Sequence, residues 1–136
     1  MVTFTAFAQS TDPKKKPQVS KHQLAMDNLK AAKAGLVAAQ QAWDNILHQY
    51  GSGARKTRES YLAHINVAQA KADVCVAEND AKIFRCKTIS QRTDHSYLID
   101  VLYFYSDGRT KGIHYYFAEH DDGTYEDSET ESTSSH

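Results

Sequence analysis

The sequence predicts an α+β fold: a long antiparallel helical hairpin packed on a small antiparallel β-sheet of three or four strands, with a disordered acidic C-terminal tail. Three observations carry that expectation. Apolar side chains from Ala25 to Tyr50 recur at alternating steps of four and three. Gly51-Ser52-Gly53 then divides two alanine-rich segments. From Ile83 onward the apolar pattern changes to period two, and its strongest stretch is Tyr-Leu-Ile-Asp-Val-Leu-Tyr-Phe-Tyr at 97–105. At 136 residues the chain is long enough for one domain with a real core. That domain is placed at 1–125, with the tail at 126–136.

In chain order, 2–8 (Val-Thr-Phe-Thr-Ala-Phe-Ala) is rich in β-branched and aromatic residues and reads as an edge strand. Residues 9–19, with Lys14-Lys15-Lys16 between Pro13 and Pro17, read as a linker. Ala6-Phe7-Ala8 has the small-x-small form of a signal-peptidase site but lacks a basic and a full apolar segment before it. The expected compartment is therefore cytoplasmic, with a secreted domain as the alternative.

The first helix is expected at 20–50. Ser20 and Gln23 fit a capping box, and Gly51 suits the helix end because it has no Cβ to clash at positive φ. Its seam is Ala25, Leu29, Ala32, Leu36, Ala39, Trp43, Ile46 and Tyr50, a coiled-coil-like repeat whose alanines admit close approach by another helix. The second helix, at 54–80, repeats the rule with Tyr61, Ile65, Ala68, Ala72 and Cys75, widened by Leu62, Val74 and Val76. So short a connection makes the two helices antiparallel. The tip resembles a phosphate-binding loop but has no glycine before Lys56 and follows a helix rather than a strand. Arg55, Lys56 and Arg58 remain a weak anion or nucleic-acid contact near a helix N-terminus.

The sheet is expected at 83–118, with strands at 83–89, 97–105 and 110–118 and a loop at 90–96. Asp107-Gly108 reads as a two-residue hairpin turn. That turn pairs Ser106 with Arg109, Leu102 with Ile113 and Leu98 with Phe117. One face then holds Leu98, Leu102, Phe104, Ile113, Tyr115 and Phe117, and the helices can cover it. The other holds Tyr97, Ile99, Val101, Tyr103, Tyr105, His114 and Tyr116. A sheet with a solvated face should alternate apolar with polar residues, and this one does not. The tyrosine-rich second face is therefore the candidate protein-binding surface, for a homodimer or another protein. It lacks the Lys/Arg density that nucleic-acid readers set beside their aromatics.

Charge is split along the chain. Residues 119–136 hold seven carboxylates and no Lys or Arg; the remaining ten acidic and sixteen basic side chains leave the rest at +6. A basic body shielded by an acidic tail is the pattern behind the nucleic-acid alternative.

No catalytic motif, cofactor signature or metal-ligand spacing stands out. His22, His48 and His64 are expected at exposed helix positions. Cys75 and Cys86 can bridge only if the chain folds back between them, and two cysteines make no disulfide framework. No apolar run is long enough to cross a membrane. The expected function is a non-enzymatic protein-binding module, a small inhibitor or adaptor, with no cofactor.

Overall fold

The computed structural model describes residues 20–51 and 57–135. The expected edge strand at 2–8, the linker at 9–19, and Arg55 and Lys56 lie outside the described residues.

Helix α1 (Lys21–Tyr50) starts where Ser20 Oγ accepts the Gln23 backbone N–H at 3.0 Å, and ends at Gly51 with φ 64°. Helix α2 (Arg58–Asp80) begins later than the expected 54. Thr57 is its N-cap and accepts the Ser60 N–H at 3.0 Å, and Glu59 sits in its first turn. The strands are β1 (Arg85–Arg92), β2 (Ser96–Phe104), β3 (Thr110–Glu119) and β4 (Tyr125–Ser134). They form one antiparallel sheet in the order β1-β2-β3-β4.

The molecule has three tiers. α1 packs on α2, and α2 packs on the sheet, mostly on β1 and β2. Leu29 is the one fully buried side chain of α1; it meets Ala77 and Ala81, with Ala25, Ala32 and Val74 alongside. The main core lies between α2 and the sheet: Tyr61, Ala68, Cys75, Cys86, Ile99, Val101, Ile113, Tyr115 and Phe117. Each large apolar side chain removed from water there contributes about 1.5–3 kcal/mol. A Cys75–Cys86 disulfide, with Cα atoms 5.5 Å apart, ties α2 to β1 across this core. The chain does fold back after Asp80, through Ala81 and Lys82, the latter at φ 60°.

The β2–β3 hairpin corrects the expected register by one residue. Leu102 pairs with Gly112, Val101 with Ile113 and Leu98 with Tyr116. The loop is three residues, closed by Tyr105 N–H to Arg109 O at 2.9 Å and Gly108 N–H to Tyr105 O at 3.1 Å. In this turn only Gly108 takes positive φ, at 90°. Asp107 stays at negative φ and accepts the Arg109 N–H at 3.0 Å. The β3–β4 hairpin repeats the device: Gly123 has φ 84° and Asp122 accepts the Thr124 N–H at 3.0 Å.

The second correction concerns the tail. Residues expected to be disordered form β4, which pairs along the whole of β3. Polar composition alone argues for disorder, but β3 offers a ready row of backbone partners. Alternate side chains of β4 also find specific ones: Lys111 holds Glu131 at 2.9 Å, and Tyr125 packs on Tyr61.

Candidate functional site

Side chains alternate across the sheet, so a one-residue slip changes which residues share a face. Tyr97, Ile99, Val101 and Tyr103 lie on the same face as Ile113, Tyr115 and Phe117 and point at α2. Ile99 and Val101 are completely buried there. His114 and Tyr116 are on the opposite face, and Tyr105 flanks the hairpin loop, its ring edge-on to Phe84. The seven residues expected to form one protein-binding surface therefore divide between the two faces of the sheet and the base of its hairpin loop.

The outer face, turned away from the helices, carries Leu98, Leu102, Phe104 and Tyr116, all half-buried, beside the exposed Ile89. Among the described residues no element packs over this face. At its β1 margin Arg85 and Lys87 are exposed, with the Arg85 guanidinium 5.2 Å from the Phe104 ring centre. Toward β4 it becomes polar, with Ser128, Thr130 and Ser132.

At the centre of that face a hydrogen-bonded chain crosses three strands. Asp100 Oδ1 is 2.9 Å from His114 Nδ1, and His114 Nε2 is 2.7 Å from Ser132 Oγ. A carboxylate can only accept, so Nδ1 donates and Nε2 accepts from the hydroxyl. Gly112 permits this: a Cβ there would stand 2.9 Å from His114 Nε2 and 3.0 Å from Ser132 Oγ. The order is that of a nucleophile, base and orienting acid. Acyl transfer also needs donors for the developing oxyanion. The His120 N–H to Thr124 O bond and the β3–β4 register put the Ser132 N–H in the ladder with Gly112, in the plane of the sheet. This hydrogen-bonded chain links side chains of β2, β3 and β4 across the outer face.

A second polar cluster lies in the core. His64, expected to be exposed, is 1% exposed. Its Nδ1 is 2.5 Å from Asp127 Oδ2, and Nε2 faces Glu129 at 3.9 Å. Trp43 stacks on the imidazole with centroids 4.0 Å apart, and Tyr115 and Phe117 meet it edge-on. The Trp43 indole N–H reaches Ser60 Oγ at 3.3 Å. Burial pushes the Tyr115 phenol well above its ordinary range, and the Glu129 carboxylate adds to the effect. The sequence did hold a signal: His64 follows Tyr61 by three and precedes Ala68 by four, the core stripe of α2.

At the hairpin tip, Arg58 pairs with Glu119 at 3.3 Å. Among the described residues no cluster of His, Cys, Asp or Glu is arranged to hold a metal ion, and no helix is long and apolar enough to cross a membrane. No protein-family model, curated protein or solved structure matches this chain.

Proposed function

We propose that this chain is a non-enzymatic protein-binding module, an inhibitor or adaptor, that captures its partner on the outer face of the sheet. The observation that carries this reading is the set of apolar side chains Leu98, Leu102, Phe104 and Tyr116 around the Asp100–His114 pair, flanked by exposed Ile89 and by the cations Arg85 and Lys87. Apolar side chains around a paired polar centre, with cations at the margin, suit recognition by another protein. We place the module in an oxidising compartment. The Cys75–Cys86 bridge supports the secreted alternative over the cytoplasmic one, because such bonds persist where thiols are not kept reduced.

The test is co-purification from the native source with a tagged chain and its Leu102→Asp variant, alongside sedimentation of both. A partner held by the wild type and lost by a variant with unchanged melting supports the reading. A second copy is the alternative occupant, seen as a dimer that Leu102→Asp dissociates. A monomeric wild type with the same companions as the variant defeats it.

A further inference from the structure

We infer that the free edge of β1 takes an extended acidic segment of a partner protein as a fifth strand. This rests on the protein-binding reading above and names the chemistry of the partner.

The ladder fixes which backbone groups are available. Just past β1, Thr93 N–H donates to Ser96 O at 2.9 Å, so by the same register the odd-numbered residues of β1 bond to β2. The N–H and C=O groups of Cys86, Thr88, Ser90 and Arg92 then point away from the sheet. The first of these N–H groups is capped, since Cys86 donates to Asn79 Oδ1 at 3.2 Å. Beyond it, Thr88, Ser90 and Arg92 present an open edge along which, among the described residues, no strand pairs. Sheet edges of this kind bind extended peptides by main-chain hydrogen bonds.

The side chains select the partner. Arg85 and Lys87 flank the edge on the outer face, with exposed Ile89 next in line. No carboxylate of β1 opposes them, because the strand, Arg-Cys-Lys-Thr-Ile-Ser-Gln-Arg, has none. On the inner side, a cavity of about 310 Å³ opens between α2 and β1, lined by Ala72, Asp73, Val76, Thr88 and Ser90. Val76 is 47% exposed there. A fifth strand would therefore set carboxylates against Arg85 and Lys87 on one face. It would place small apolar side chains against Val76 on the other, where Asp73 repels a second row of acids. The same sheet already holds such a strand on its far edge, where β4 is acidic and Lys111 takes Glu131.

The experiment titrates the oxidised full-length chain into two short fluorescent peptides and follows anisotropy at low and moderate salt. One peptide alternates glutamate with valine, the other lysine with valine. Saturable binding of the glutamate peptide alone is expected, weakened several-fold by added salt and by Lys87→Glu. Ser90→Pro is the specific variant. It removes an N–H that points outward, so β1 keeps its ladder to β2, and affinity should fall at least tenfold at unchanged melting temperature. Equal binding of both peptides, binding of neither, or full affinity in Ser90→Pro overturns the inference. If the glutamate peptide fails while Leu102→Asp still sheds the natural partner, the edge is wrong and the face stands. If the peptide binds and is lost in Ser90→Pro while Leu102→Asp changes nothing, the face is wrong and the edge stands.

Discussion

His64 and Tyr115 show how one side chain can fix where a polar strand docks. An imidazole at 1% exposure needs a partner for its ring hydrogen, and Asp127 supplies it from β4. Tyr115 lies 6.0 Å from that ring, also buried, and its hydroxyl has no hydrogen-bond partner among the described residues. Its proton is held to higher pH in the folded chain than in the unfolded one, chiefly by burial. The unfolded chain loses that proton near pH 10, the ordinary tyrosine value. Below that value the contribution to stability is complete; above it the unfolded state binds fewer protons and stability falls as pH rises. Tyr115→Phe should therefore flatten the alkaline loss, by up to about 1.4 kcal/mol per pH unit, and cost less than about 1 kcal/mol at pH 7. Urea titrations of both proteins at pH 7, 10 and 11 check this. An unchanged alkaline slope refutes the assignment. Of these two residues, Tyr115 was legible as core from strand alternation. His64 was not, because residue type outweighed its helical spacing.

At the scale of elements, the hairpin of helices and the three strands of the expected sheet were legible, because each rests on a local rule. Ser20 and Gly51 bound α1, and the period-two run sets β2. The register was not legible. Asp-Gly suits both a two-residue loop and a three-residue loop ending in glycine, and these differ by one position. That single position decides which face Ile99 and Val101 occupy, so the candidate site moved with it. The Cys75–Cys86 link was open from sequence because it depends on the turn at Ala81 and Lys82. It closes a loop with a sequence separation of 11. On the chain-entropy account such a bond contributes about 3 kcal/mol. Adding reductant should lower the urea midpoint accordingly, and intact mass should show no free thiol before reduction. Two alkylatable thiols in the native protein would contradict the bridge.

For the whole molecule, the charge split is also an organising feature of the fold. The tail's carboxylates reach back to cations and imidazoles of the body: Glu119 to Arg58, Asp127 to His64 and Glu131 to Lys111. The exposed Lys111–Glu131 pair contributes about 0–1 kcal/mol, so it orients β4 more than it holds it. The larger effect is what β4 covers. It pairs with all of β3, and its inward row closes the core over Phe117 and His64. Ending the chain after Thr124 would leave β3 as an unprotected edge and His64 without either carboxylate. The truncated chain should lose its cooperative thermal transition by circular dichroism and aggregate. A disordered tail predicts the reverse, a melt indistinguishable from the full chain. Exchange of backbone amides separates the two in the intact protein as well. If β4 belongs to the fold, the N–H groups of Ser128, Thr130 and Ser132, which face β3, exchange far more slowly than those of Glu129 and Glu131, which face solvent. Equal, fast exchange at all five positions would return residues 126–134 to a free tail.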